Sequence, residues 1–83
     1  MDIATALQLV RDELDYAMEQ YPPFASPHEG IAIIEEEFIE LRDEVFQRVI
    51  SPERMLKEAI QTAAMSVRFM IDLNKSDMRQ FKR

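Results

Sequence analysis

The sequence predicts an all-α fold of three helices, and two observations support this prediction. Apolar residues recur at intervals of three and four in three segments, which is the spacing that places side chains on one face of an α-helix. The dipeptide Ser-Pro occurs at Ser26 and again at Ser51, and serine followed by proline is typical of a helix start. We expect one domain that includes all 83 residues.

The first predicted helix extends from Asp2 to about Gln20, and either Asp2 or Thr5 can serve as its N-cap. Its apolar face consists of six residues: Ile3, Leu7, Val10, Leu14, Ala17 and Met18. The acidic residues on the opposite side indicate a helix that covers the core with one face and contacts water with the other.

A loop with two adjacent prolines, from Tyr21 to Pro27, follows the first helix. Adjacent prolines stop a helix and force the chain into an extended path. Tyr21 and Phe24 flank the two prolines. We interpret them either as anchors that hold the loop on the core or as an aromatic wall over a pocket, against which a base would stack.

The second predicted helix begins at Pro27 and ends at Gln47 or Val49. Ser26 is its expected N-cap, and Glu29 completes a capping box. The only glycine of the chain, Gly30, lowers helix propensity by about 1 kcal/mol relative to alanine. Close approach of another backbone is one explanation for its presence.

The third predicted helix extends from Pro52 to about Leu73, with Ser51 as its N-cap and Asn74 as a C-terminal stop. The connection to it, about residues 48–51, is short, so the second and third helices are predicted to be antiparallel neighbours. Its apolar face contains seven residues: Leu56, Ile60, Ala63, Ala64, Val67, Met70 and Ile71. The tail after residue 74 is basic.

The second helix carries an acidic line beside its apolar stripe. The stripe is formed by Ile34, Phe38, Leu41 and Val45. Glu37, Glu40 and Glu44 follow the same rhythm next to it. Such a line is either a solvated face or a cation site, and spacing alone favours the solvated face.

Two pairs with i,i+3 spacing lie near the middle of the antiparallel helices: Glu37 with Glu40, and Glu58 with Gln61. Side chains at this spacing point the same way and can share one ion. Because Mg²⁺ prefers about six oxygen ligands and keeps waters or substrate phosphates among them, facing carboxylates are one way to build a magnesium or manganese site, and a solvated acidic face is the other interpretation of this spacing.

Residues 28–73 contain the run HEGIAIIEEEFIEL and, after a short gap, the run KEAIQTAAMSVRFMIDL. These runs resemble the MazG-like branch of the all-α nucleoside triphosphate pyrophosphatases. The family pattern is ExxE followed after a spacer by ExxD. Glu37 and Glu40 match the first half, and Glu58 begins the second half, but Gln61 replaces its aspartate. An amide oxygen can bind magnesium but brings no negative charge, so we expect weaker metal binding. Three outcomes stay open: an active variant with fewer metals, a slow enzyme, or a nucleotide-binding or structural relative that has lost catalysis.

The resemblance implies that Mg²⁺ or Mn²⁺ bridges a nucleoside triphosphate and that water attacks it to release a nucleoside monophosphate and pyrophosphate. It assigns the metal ligands to Glu37, Glu40, Glu58 and Gln61. Glu36 is the spare carboxylate that would serve as base or outer-shell partner. Three cations are candidates for phosphate contacts: Arg54, Lys57 and Arg68. Arg68 would alternatively pair with an acidic residue of a neighbouring helix. The resemblance also implies a four-helix core in a homodimer or homotetramer.

The composition excludes several other classes of protein. A net charge of −6 disfavours binding to nucleic-acid phosphates, which requires a basic face. The absence of cysteine excludes disulfides and thiolate metal sites. No apolar run approaches the roughly 20 residues of a membrane span, and the N-terminal segment lacks a basic signal region, so a cytoplasmic protein is expected.

The alternative function is a non-catalytic acidic helical oligomer that binds a partner or regulates it. The missing aspartate, the small size and the acidic surface favour this interpretation. Mimicry of nucleic acid by the acidic surface is a third interpretation, with no motif that supports it.

Overall fold

The computed structural model describes residues 1–73 and residue 75, and these form three helices packed together. The helices are α1 (Ile3–Gln20), α2 (Pro27–Val45) and α3 (Pro52–Asp72). The predicted all-α, three-helix protomer is therefore confirmed for the single chain. The predicted stop at residue 74 and the tail from residue 76 onward lie outside the described residues.

Each helix begins at a side-chain cap, as the sequence predicts. Asp2, not Thr5, is the N-cap of α1, and its carboxylate accepts the Thr5 N–H at 2.8 Å. Ser26 and Ser51 cap α2 and α3 through their hydroxyl oxygens. Each cap satisfies a backbone N–H that has no partner inside its own helix.

The capping box of α2 forms with one difference. The Glu29 N–H donates to Ser26 Oγ at 3.1 Å, but Glu29 Oε1 accepts from the N–H of Ala25, at 3.0 Å, rather than from that of Ser26. The C-terminal end also differs, because α2 ends at Val45, before the predicted Gln47 or Val49. The chain needs residues 46–50 to reverse direction before α3 begins.

Helices α2 and α3 are antiparallel neighbours, as predicted. Glu44 contacts Arg54, Glu37 contacts Gln61, and Gly30 lies against Phe69. Because residue numbers fall along one helix as they rise along the other, the two helices run in opposite directions. Helix α1 packs mainly on α3.

The centre of the protomer contains few fully buried side chains. The buried hydrophobic residues are Leu14, Ala17, Phe24 and Ala64. The predicted apolar stripe of α2 is only partly covered: Phe38 and Val45 are 52% and 47% exposed. The predicted apolar face of α3 is also only partly covered, since Leu56 and Met70 on it are exposed. One chain has too little surface to cover both faces of its α2–α3 pair.

Gly30 is required by an aromatic ring and not, as the sequence suggested, by a neighbouring backbone. A Cβ atom at this position would lie 2.5 Å from Cδ2 of Phe69 and 3.1 Å from Cδ2 of Phe24. The missing side chain therefore lets α2 approach the aromatic rings of α3 and of the loop before α2. No helix in the described part of the chain is long and apolar enough to cross a membrane.

Candidate metal centre

Three carboxylates converge where the middle of α2 faces the first half of α3. Glu37, Glu40 and Glu58 each present one oxygen such that all three oxygens lie within 4.8 Å of one another. Glu37 and Glu58 are half-buried, and Glu40 is exposed. The i,i+3 spacing on α2 places its two carboxylates on one face, and the antiparallel packing brings Glu58 opposite them. The sequence-predicted cluster is thus present in the fold.

Gln61 completes the group predicted from the sequence. With its amide nitrogen turned toward the cluster, it donates to Glu37 Oε2 and to Glu58 Oε2, each at 3.1 Å. One amide group therefore links a carboxylate of α2 to a carboxylate of α3. With the amide turned the other way, its oxygen would face the same point, where it would suit a cation.

Two carboxylates of the cluster, Glu37 and Glu58, hold protons more tightly than isolated glutamates do. The pKa of Glu37 is raised from 4.5 to about 7, first by burial and then by the nearby charges of Glu40, Glu58 and Glu36. Like charges within a few ångströms disfavour full ionisation, so protons or a cation must compensate them.

The pKa of Glu58 is raised as well. Burial is the largest cause that raises its pKa, and the adjacent Glu40 carboxyl adds to it through a hydrogen bond and through its charge. The ammonium group of Lys57 opposes this increase, which shows that Lys57 lies close enough to act on the cluster. None of the described ion pairs includes a carboxylate of the cluster.

The predicted phosphate-binding cations have different surroundings. Arg54 donates from Nε to Glu44 Oε1 at 2.9 Å and is about half exposed. Glu44 is one turn beyond Glu40, so this pair lies beside the cluster at the end near the α2–α3 connection. Lys57 is exposed. A phosphate contact of Arg54 or Lys57 stays a prediction.

A cavity of about 380 Å³ adjoins the cluster on the side of α1. Glu36, Glu37 and Gln61 are among its lining residues, so the cavity reaches one carboxylate of the cluster, that of Glu37. The remaining walls are mostly apolar and aromatic, and they include Tyr16, Tyr21, Phe24, Ile33 and Met65. Small-molecule sites in proteins are commonly concave, apolar and of this size, with a few polar groups at one end.

The sequence left open whether the two aromatic residues of the proline loop anchor it on the core or form the wall of a pocket. Phe24 is buried, so it anchors the loop on the core, whereas Tyr21 is 62% exposed and does not. Both line the cavity, together with Pro22. The loop is therefore both packed on the core and part of the cavity wall.

Arg68 pairs with an acidic residue, but that residue belongs to its own helix and not to a neighbouring one. Its Nε donates to Asp72 Oδ2 at 3.3 Å, and its Nη2 donates to the carbonyl oxygen of Tyr21 at 3.0 Å. Asp72 Oδ2 also accepts the N–H of Phe24 at 2.9 Å. The arginine and the aspartate are 4% and 1% exposed.

Sequence reasoning overlooked Asp72 and Tyr16. The signal for Asp72 was its i,i+4 distance from Arg68 within a helix whose neighbouring positions are apolar. No local signal could have found Tyr16, because only the packing of α1 on α3 places it beside a cavity that the loop and α2 close.

Comparisons of the chain with protein-family models, with curated proteins and with solved structures find no match.

Proposed function

We propose that the chain is a metal-dependent nucleoside triphosphate pyrophosphohydrolase, which converts a nucleoside triphosphate to a monophosphate and pyrophosphate. The observation that carries the proposal is a group of three facing carboxylates, one of which, Glu37, lines an aromatic-walled cavity. The resemblance of residues 28–73 to the MazG-like pyrophosphatases supports the same activity. Weak activity is expected, because Gln61 supplies an amide where the family pattern has a carboxylate.

The donor set of the cluster fits Mg²⁺ or Mn²⁺. Carboxylate and amide oxygens are the ligands that these ions prefer, and two oxygens bound to the same Mg²⁺ lie about 3 to 4 Å apart. The oxygens of Glu37, Glu40 and Glu58 lie within 4.8 Å of one another, so small side-chain rotations would bring them to that distance. A bound ion would neutralise phosphate charge and lower the pKa of a bound water.

The excess of negative charge in the cavity supports a requirement for a cation. Four glutamates line it: Glu13, Glu29, Glu36 and Glu37. These side chains repel a free triphosphate. The phosphates can therefore approach only when a cation compensates the charge of the carboxylates and that of the phosphates. Glu36, which is exposed and lines the cavity beside the cluster, is the carboxylate that would accept a proton from the attacking water.

The aromatic part of the cavity suits the base of a nucleotide. Tyr16 and Tyr21 provide ring surfaces for a planar heterocycle, and base–aromatic stacking contributes about 1–3 kcal/mol per base in other proteins. Lys57 and Arg54, beside the cluster on α3, would stabilise the phosphate end. Arg68 is held by Asp72 and Tyr21, so a phosphate contact would compete with both.

We further propose that the protomer assembles as a homodimer or homotetramer in which α2 and α3 of two chains form a four-helix core. Large apolar side chains on α2 and on the connection to α3 support this: Phe38, Val45, Phe46, Val49 and Ile50 are between 47% and 80% exposed. Light scattering after size-exclusion chromatography measures the assembly directly. A monomer at high micromolar concentration would contradict the proposal.

The activity is tested by incubating purified protein with each of the common nucleoside triphosphates and Mg²⁺ or Mn²⁺, and by measuring pyrophosphate release. We expect activity that chelation abolishes and that Glu58→Gln reduces by about tenfold or more. Glu35→Gln is the matched control, since Glu35 is exposed on α2 and lies outside the cluster. Absence of pyrophosphate release with every substrate and both metals would eliminate the catalytic proposal.

A second function is a non-catalytic acidic module that binds a protein partner. The observation that favours it is that Gln61 can satisfy Glu37 and Glu58 through its amide nitrogen, without an ion. In that case divalent ions would leave the melting temperature unchanged relative to an ionic-strength control. A rise in the melting temperature with Mg²⁺ or Mn²⁺ would contradict it, because a ligand that binds the native state stabilises that state.

A further inference from the structure

The loop before α2 is attached to α3 at two backbone atoms, one on each side of its prolines. The carbonyl oxygen of Tyr21 accepts from Arg68, and the N–H of Phe24 donates to Asp72. Pro22 and Pro23, between these two atoms, have no N–H to donate. The polar attachment of this part of the loop to α3 therefore depends on one arginine and one aspartate.

Asp72 joins the two attachments. Its Oδ2 accepts both the Phe24 N–H and the Arg68 guanidinium, and the side chain is almost inaccessible to solvent. Truncation of this carboxylate would leave the buried Arg68 charge and the Phe24 N–H without their acceptor. A single side chain thus supports the polar attachments at both ends of the proline segment.

The attached segment is also a wall of the cavity. Tyr21, Pro22 and Phe24 line the cavity, as does Arg68, whereas Asp72 does not line it. Asp72 can therefore influence a ligand in the cavity only through the loop and through Arg68. The carboxylate cluster belongs to α2 and α3 and includes no residue of the loop, and of its members Glu37 lines the cavity.

We propose that Asp72 is a positioning residue: through Phe24 and Arg68 it fixes the loop of residues 21–24 as the cavity wall and so sets how tightly the organic part of a nucleotide binds. The inference rests on the proposed function, because that function places a nucleotide in this cavity. It assigns the phosphate end of the ligand to the cluster and makes binding of the other end depend on Asp72.

The test compares nucleoside triphosphates with inorganic tripolyphosphate, which has the phosphates but neither base nor sugar. For Asp72→Ala we expect the KM of the best nucleotide to rise by about tenfold or more, because misplacement of a binding wall by about 1 Å is enough for such a loss. Binding of Mn²⁺–tripolyphosphate, measured by calorimetry, should change by less than about twofold, since its contacts lie at the cluster.

Two further variants make the result specific. Asp72→Asn keeps an oxygen that can accept the Phe24 N–H, so it should recover part of the nucleotide affinity. Asp15→Asn is the matched control, because Arg11 and Asp15 form the same i,i+4 pair on α1 with both side chains exposed. If circular dichroism shows that Asp72→Ala does not fold, Asp72→Asn decides the question, with an expected rise in KM of about threefold.

A binding measurement separates failure of this inference from failure of the proposed activity. The chain has two tyrosines, Tyr16 and Tyr21, and both line the cavity, so fluorotyrosine labels report on it by ¹⁹F NMR. Shifts caused by nucleotide, but not by tripolyphosphate, would support the inference even without hydrolysis, provided that Asp72→Asn weakens them. Parallel losses for both ligands, unchanged nucleotide affinity in both Asp72 variants, or tyrosine signals that no nucleotide shifts would overturn it.

Discussion

Helix α3 carries two acidic sites that differ in whether neighbouring groups compensate their negative charge. Near its C-terminal end, Asp72 has a buried guanidinium and a backbone N–H as partners. In its first half, Glu58 lies against two further glutamates, and the described ion pairs include none of the three. Removal of one partner from a buried, fully partnered carboxylate destabilises a fold, whereas a group of like charges destabilises the structure unless protons or a cation compensate it. The difference separates a structural site from a candidate binding site.

The largest expected effect tests the compensated site. Asp72→Ala should lower the free energy of unfolding by about 3–5 kcal/mol, because it leaves a buried arginine without its partner. Urea denaturation followed by circular dichroism measures this loss. Asp15→Ala should change stability little, because the Arg11–Asp15 pair is solvent-exposed. Equal losses in the two variants would show that burial does not distinguish the pairs.

The next effect tests the close packing of α2 on α3 at Gly30 and Phe69. Gly30→Ala places a Cβ atom 2.5 Å from a ring carbon of Phe69, between Arg68 and Asp72 in position along α3. We expect a loss of about 1–3 kcal/mol from overpacking, partly offset by about 1 kcal/mol of helix propensity. In Gly30→Ala/Phe69→Leu the smaller side chain should make the two losses less than additive. Full additivity in the denaturation data would argue against this contact.

A smaller effect concerns protons at the uncompensated site. Because the pKa of Glu37 is raised from 4.5 to about 7 in the folded chain, the native state binds a proton more tightly than the unfolded state does. Its contribution to stability is therefore fully present below pH 4.5 and is lost as the pH rises toward about 7. Melting temperatures across this range should fall less steeply in Glu37→Gln than in the wild-type chain. Identical slopes would contradict the assigned pKa.

The smallest expected change converts the amide of the cluster to a carboxylate. Gln61→Asp should lower the melting temperature at neutral pH without metal, because it adds a fourth negative charge, and should raise the affinity for Mn²⁺ by about tenfold. Calorimetric titration with Mn²⁺ measures the affinity, and Thr62→Asp, one residue further along α3, controls for added charge alone. If both variants gain the same affinity, general electrostatics explains the result and the comparison between the two sites weakens.

The sequence by itself determined the three helices, the serine caps of α2 and α3 and the carboxylate pair of Glu37 and Glu40 on α2, and it narrowed the cap of α1 to Asp2 or Thr5. These features depend on interactions within about four residues, such as Ser26 with Glu29 or Asp2 with Thr5, and such interactions can be recognised from spacing. It also indicated which residues would face each other, because a short connection requires antiparallel helices.

Only the tertiary structure decided which distant groups meet. Asp72 and the Phe24 N–H are 48 positions apart, and no periodicity relates them. Their contact, like the cavity beside Glu37, depends on how far α2 can approach α3 and on where the loop is held. That approach follows from the fit of Gly30 against Phe69, a packing property of two surfaces rather than of either helix.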